Sequence, residues 1–323
     1  MTRSVRSYMY PGLPILNSLQ DLSNRTHLSA GLLYKLSKRN NFYYRVFSIP
    51  KSSGEKREIA EPARPVKAIQ SWILANILQQ LPLLPQVTGF RRGYNILVNA
   101  SAHQHNRYLL CLDIDDFFPS IKYPIVYTIY RKLGYNEHIS HVLTSLCTFK
   151  GRLPQGGVTS PTLSNLSCFR LDRRISGYSG SRNIMYTRYA DDMTFSSMSW
   201  ERLVGLHKMV RQIVEEEGFS LNKAKSRYMG PKRRQKVTGL VIGDNQVGIG
   251  RQAERRLRAT IYNICQEESS AERDTALTSL QGYLSFLFSV DPIRYHRTAK
   301  YIHRLSANFP DSDIKDKLQV KTD

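Results

Sequence analysis

The chain has 323 residues, 41% of them hydrophobic, and carries 47 Lys plus Arg against 26 Asp plus Glu, a formal net charge of +21. Its apolar share suffices for one large core or two to three subdomains, and its charge points to a polyanionic partner, with nucleic acid first and an anionic membrane surface second. There is no run of eighteen apolar residues, which excludes a helical membrane span, and "MTRSVRSYMYPGLP" at the start lacks a signal core. Nineteen Tyr and twelve Phe offer stacking surfaces for bases. Four scattered cysteines, Cys111, Cys147, Cys168 and Cys265, form no C-x-x-C pair and read as reduced, buried thiols of a cytosolic protein.

Residues 15–40 carry helical apolar spacing: Ile15, Leu16, Leu19 and Leu22, then Leu28, Leu32, Leu33 and Leu36. The aromatic and β-branched run at 41–50, the turn "KSSGEK" and the return run "REIAEP" predict a basic hairpin. A helix over 65–80 follows, ended by the prolines of "LPLLPQ". "RYLLCLDI" from Arg107 is a nearly continuous apolar run ending in acid, as in a buried strand. "YPIVYTIYRKLGY" and "EHISHVLTSLCTF" read as helices. So does "TSPTLSNLSCFRLDRRI", with Ser160 as N-cap and Pro161 at the first helical position. "RNIMYTRYADDMTFSS" reads as two strands about a tight turn. The next helix has a stripe of Leu203, Leu206, Val210, Ile213 and Val214, a cap at Ser199 and a stop at Gly218. Strands near 226–230 and 237–242 complete an α+β sheet covered on one face by helices. From about residue 250 the pattern is helical and basic, and the polar tail 311–323 is expected to fray.

Two acidic stretches stand out: "LDIDDFFPS" at 112–120 and "YADD" at 189–192. An isolated D-D pair is usually a surface turn. Here a strand ending in Asp113, beside a hairpin carrying Asp191 and Asp192, would gather three carboxylates at one sheet edge. Such a cluster calls for cations. Magnesium favours a few carboxylates plus substrate phosphate, and a pair of such ions serves in-line phosphoryl displacement. Asp115 shares the strand face of Asp113 by period two, so spacing alone leaves that choice open.

"YADD", and "DIDDFF" with aromatics four and five positions after Asp113, resemble the signature motifs of reverse transcriptases. The resemblance implies a right-hand polymerase: N-terminal helices and fingers over 1–105, a ferredoxin-like palm sheet over 106–245 and a helical thumb over 246–310. It selects Asp113, makes Asp191 the firmer metal ligand and Asp192 the weaker, and implies two Mg²⁺ ions. Phe118 would lie under the incoming sugar and collide with a ribose 2′-hydroxyl. "LPQGGVTSP" resembles the loop that backs the nascent base pair, with Gln155 toward the minor groove. Gly157-Val158-Thr159 departs from the family's more frequent Ala-Pro-Ser. "GFSLNKAKSR" resembles the motif whose lysine protonates departing pyrophosphate: Lys225 by spacing, Lys223 as the alternative. In "GEKREIAEPARPVKAIQ", Arg57 and Lys67 match the basic positions that clamp the triphosphate, with Arg64 a further candidate.

Two short strings narrow the resemblance to retron reverse transcriptases: N-A-x-x-H at Asn99 to His103, and V-T-G at Val237, Thr238 and Gly239. "GLPILNSLQDLS" and "GYLSFLFSVD" fit the same family. Membership implies a bacterial, cytoplasmic RNA-directed DNA polymerase using dNTPs. It would copy its own structured noncoding RNA from a 2′-hydroxyl primer into branched msDNA, beside an effector protein in defence against phage. Both strings are then candidates for RNA contact. His103 is either the base that takes the 2′-proton or a structural pin, and the pin weighs more because a metal can do the deprotonation. Arg251, Arg255, Arg256 and Arg258 on one helix, and Arg294, Arg297, Lys300 and Arg304 on another, form faces for phosphate contact. The alternatives are a group II intron-like enzyme, whose maturase segment this length does not accommodate, and an RNA-binding scaffold of a toxin-neutralising complex, against which the acidic motifs argue.

Overall fold

The computed structural model describes residues 10–50, 54–243, 246–267, 270–309 and 314–318. The N-terminal stretch before Tyr10, the "KSS" of the expected hairpin turn and most of the expected tail lie outside these. The chain forms two compact units, Met1–Gly93 with Leu110–Tyr228, and Tyr94–Leu109 with Met229–Asp323. This division runs across the linear boundaries expected from sequence, because residues 94–109 join the C-terminal part.

In the first unit, helices α1 (Leu19–Thr26) and α2 (Ala30–Lys38) start at serine caps. Ser18 and Asp21 form a reciprocal capping box, and Ser29 accepts from the Leu32 N–H. Leu22, Leu33 and Leu36 are fully buried, whereas Ile15 is exposed. Strands β1 (Tyr44–Pro50) and β2 (Lys56–Pro62) pair antiparallel as the expected hairpin. Helix α3 (Arg64–Asn76) stops before the prolines and is followed by a short 3₁₀ turn at Leu78–Gln80.

A four-stranded sheet forms the centre of this unit. Strand β3 (Tyr108–Asp113) is buried from Leu109 onward, which is why it reads as one apolar run. Helix α4 (Ile96–Ser101) belongs to the second unit; α5 (Phe117–Ser120), α6 (Tyr123–Lys132), α7 (Glu137–Cys147), α8 (Ser160–Ser167) and α9 (Phe169–Gly180) follow β3. The single helix expected across 159–175 is two, broken at Cys168. Then come β4 (Met185–Tyr189), β5 (Asp192–Ser197), α10 (Trp200–Glu216) and β6 (Arg227–Met229). The sheet order β4-β5-β3-β6, with helices after β3 and β5, is the βαββαβ ferredoxin-like arrangement. The buried stripe of α10 is the one its sequence predicts.

The second unit joins α4 to a three-stranded sheet of β7 (Lys236–Val237), β8 (Leu240–Ile242) and β9 (Val247–Gly248). Where one strand was expected over 237–242 there is a tight hairpin. Helices α11 (Gly250–Gln266), α12 (Ala271–Val290), α13 (Pro292–Asn308) and α14 (Ile314–Leu318) follow. Leu257, Ile261, Leu280, Leu284, Leu287, Ile302 and Leu305 form their core. All four cysteines are free and buried. Among the described residues no helix is long and apolar enough to cross a membrane.

Candidate active site

The end of β3 is tied to the turn between β4 and β5. Ile114 N–H donates to the Asp191 carbonyl at 3.0 Å, and Asn222 N–H donates to the Asp113 carbonyl at 2.8 Å. The turn is a two-residue connection, Ala190-Asp191, closed by the Tyr189–Asp192 pair. Ala190 sits at φ 58°, a left-handed conformation that side-chain-bearing residues rarely adopt. Burial raises the proton affinity of the Asp191 carboxyl, and the nearby charge of Asp113 adds to the rise while Lys225 and Arg57 oppose it. Burial also pushes Asp192 up, to about 6, with the charges of Asp191 and Asp113 contributing. The charge of Asp113 thus acts on both Asp191 and Asp192.

Lys225 supplies positive charge at Asp113. Its Nζ donates to both oxygens of Asp113, at 2.9 and 3.0 Å, which raises its proton affinity. The 3₁₀ turn Lys223–Lys225 aims it there, pinned by Asn222 Oδ1 accepting from the Lys225 N–H at 3.3 Å. Lys223 has no such contact with Asp113 among the described interactions. Asp115 is exposed and accepts from the Asn222 side chain at 3.2 Å rather than joining the cluster.

Sequence reasoning missed the residues that hold the turn. Arg188 is fully buried and donates to both oxygens of Asp172 on α9, at 2.8 Å from Nε and 2.6 Å from Nη2. Its Nη1 donates to Asn165 Oδ1 at 3.1 Å and to the Ala190 carbonyl at 2.9 Å. Tyr186, on the same face of β4, donates to Asp172 at 2.7 Å. On the other side Thr88 N–H donates to the Arg188 carbonyl at 2.9 Å, and Asn165 donates to the Gly89 carbonyl at 2.8 Å. A Cβ on Gly89 would stand 2.5 Å from Ala190 N, so only glycine lets this segment reach the turn. The one usable signal was an arginine inside an otherwise inward-facing strand.

Of the expected nucleotide-binding residues, Phe118 is partly exposed, its ring centre 5.5 Å from that of the buried Phe117 and 6.1 Å from that of Phe90. A cleft of about 380 Å³ is lined by Lys56, Arg57, Lys150, Arg152 and Gln155, with Glu58 and Asp116 its carboxylates. The Gln155 carbonyl accepts from the Ala60 N–H at 2.8 Å, which fixes that loop against β2. Lys67 is not brought to this cleft, since its Nζ is held by Glu61 at 2.6 Å.

In the second unit the two short strings, far apart in sequence, meet. Asn99 donates to Thr238 Oγ1 and Thr238 Oγ1 donates to the Ile96 carbonyl, each at 3.4 Å. Asn99, His103 and Val237 are buried, so the structure does not present them to a ligand as expected; the turn of the hairpin that carries Val237 has a half-buried Thr238 and an exposed Gly239. Burial lowers the His103 proton affinity to about 3, which fits the pin rather than the base. Arg251 and Arg255 are exposed on α11. Arg258 lies over the Tyr301 ring at 5.3 Å and pairs with Glu254, and Arg294 is held by Glu254 and Asp291.

Among the described residues no three His, Cys, Asp or Glu side chains stand as a ready-made metal cage. The side-chain donors of Asp113, Asp191 and Asp192 are all oxygen, and an ammonium rests on Asp113, a donor set that suits a hard divalent cation.

This geometry accords with the matches to known proteins. Residues 49–242 match the family described as reverse transcriptase (RNA-dependent DNA polymerase), which places the chain among RNA-directed DNA polymerases. It is 41% identical over 301 residues to the Retron Ec86 reverse transcriptase of Escherichia coli, covering 92% of each chain. It is 32% identical over 311 residues to the Retron Mx65 reverse transcriptase of Myxococcus xanthus, covering 90% of this chain and 72% of that one. The chain belongs to the retron reverse transcriptases.

Proposed function

We propose that this enzyme copies a structured noncoding RNA of its own retron, starting from a 2′-hydroxyl of that RNA, into branched msDNA. The sheet and its insertions act as palm and fingers, and the helical second unit as thumb. The observation that carries the reading is that the strand end bearing Asp113 meets the turn bearing Asp191 and Asp192, where the Ile114 N–H donates to the Asp191 carbonyl at 3.0 Å.

Asp113 and Asp191 would hold two magnesium ions, with Asp192 assisting. Bound there, the ions supply the positive charge that lets a hydroxyl attack and pyrophosphate depart. The remaining work falls to side chains. Lys225 keeps its proton at Nζ beside Asp113, poised for the leaving pyrophosphate. Arg57, with Lys56, Lys150 and Arg152 around the cleft, binds the triphosphate. Lys67 joins only by leaving Glu61. Phe118 closes the space under the sugar, which selects deoxynucleotides, and Gln155 faces the base pair. Exposed Arg251, Arg255, Arg297 and Lys300 grip phosphates, and Thr238-Gly239 offers the RNA-facing turn. A partner effector protein and a role in phage defence accompany this reading.

The test is direct. Purified protein with its cognate RNA, Mg²⁺ and dNTPs should yield DNA covalently joined to RNA, and Asp191→Asn with Asp192→Asn should yield none. Undiminished synthesis by the double variant would remove the catalytic assignment.

A further inference from the structure

A pocket of about 570 Å³ opens in the second unit between residues 234–236 and helices α11 and α12. Leu257 and Leu280 form a buried apolar floor, and Tyr283 stands half-buried at one wall. Arg234, Lys236 and Arg256 ring its mouth, all exposed, and none of its described lining residues is a carboxylate. The rim is held in place. Gln235 Nε2 donates to the Arg107 carbonyl at 2.7 Å, Arg233 N–H to the Gly230 carbonyl at 3.0 Å, and Arg234 Nη1 to Gln252 Oε1 at 2.8 Å. These bonds fix the cationic turn "PKRRQK", which the reaction described above leaves unused.

An apolar slot with an aromatic wall and cations only at its mouth suits a ligand with a flat face and anionic links on either side. A nucleotide in a single strand has that form, with the base against Tyr283 and the flanking phosphates on the three cations. A duplex does not, because its base faces are stacked on one another and it presents only base edges, sugars and phosphates. An acidic peptide would satisfy the rim and leave the floor unfilled. The cavity lies within the size range of small-ligand sites. We propose that this pocket receives one unstacked base of a single-stranded nucleic acid, so that the second unit grips an unpaired segment as well as a helix. The proposal rests on reading the protein as an enzyme that copies RNA.

The test uses the full-length protein and short oligouridine and oligodeoxyuridine probes, each carrying one 2-aminopurine. Stacking on Tyr283 should quench the probe. Ser279→Leu narrows the pocket from an exposed helical position, and Tyr283→Ala removes its wall. Each should abolish the quench and weaken single-strand binding about tenfold, the factor expected for one lost stacking partner. Tyr283→Phe should retain both, which separates lost stacking from lost folding. Binding to blunt RNA duplex, and DNA synthesis on oligo(dT)-primed poly(rA), should be unchanged in Ser279→Leu. Tighter binding of the ribo-probe supports the pocket and assigns it to the template; tighter binding of the deoxy-probe supports it and assigns it to the product. Wild-type quench and affinity in both Ser279→Leu and Tyr283→Ala would overturn the proposal. So would polyglutamate binding with no quench of either probe, which would assign the pocket to a protein partner. Absence of DNA synthesis by the wild-type protein would instead strike the enzymatic reading, since the binding measurement stands apart from it.

Discussion

Arg188 shows how a single buried charge supports a strained turn. Four of its contacts end on Asp172, Asn165 and the carbonyl of Ala190, which precedes Asp191 in the turn. Removing one partner of a buried pair leaves the other charge uncompensated, at a cost of about 3–5 kcal/mol, whereas replacing both with apolar groups is often near neutral. Arg188→Met should therefore destabilise the protein by that order in urea unfolding, and Arg188→Met with Asp172→Leu should restore most of the loss. DNA synthesis should stay low in both, because neither holds the Ala190 carbonyl; full activity in the stable double variant would show that the clamp serves folding alone. Phe118 carries the second residue-scale prediction. Its ring is partly exposed and braced by Phe117 and Phe90, so it cannot move aside cheaply. Phe118→Ala should raise the ratio of kcat/KM for ribonucleotides over deoxynucleotides about tenfold, the scale of one relieved steric contact.

Among the elements, the β7–β8 hairpin is the most informative. Thr238 and Gly239 both have positive φ, 46° and 88°, which is the pattern of a type I′ turn. Glycine fits that conformation; a β-branched threonine does not, and pays about 1–3 kcal/mol of strain unless its surroundings hold it. Its bonds to Asn99 and the Ile96 carbonyl are that hold. Thr238→Asn creates the preferred Asn-Gly pair and should raise stability by about 0.5–1 kcal/mol, read as a higher Tm. A lower Tm would mean that the contact to Asn99 outweighs the strain. The hairpin of β1 and β2 is a contrasting case. Val46, Phe47 and Ile49 stay exposed, so its strand character comes from local propensity and pairing rather than from burial.

For the whole molecule, stability should depend on pH through His103. Its folded proton affinity, near 3, lies below the usual 6.5, so the unfolded chain binds the extra proton between those values. The stabilisation is complete above pH 6.5 and is lost as pH falls toward 3, by about 2 kcal/mol from pH 7 to pH 5. His103→Gln should flatten that slope in urea unfolding measured at both pH values; an unchanged slope would place the acid sensitivity elsewhere.

The sequence by itself held the apolar run that ends in acid, the hairpin bearing Asp191 and Asp192, the stripe of α10 and the basic helices, because each is written in neighbouring residues, as a continuous apolar run or with a period of two or 3.6, whereas the choice of Asp113 over Asp115 came from the family resemblance. It also held both retron strings, although not their burial. Only the tertiary structure decided that Lys225 pairs with both oxygens of Asp113, that Lys67 is held by Glu61, that Arg258 lies over Tyr301 and Arg294 is held by Glu254 and Asp291, and that Arg188 and Gly89 brace the turn. Those outcomes depend on which segments far apart in the chain come within hydrogen-bond reach, and no local period encodes that distance.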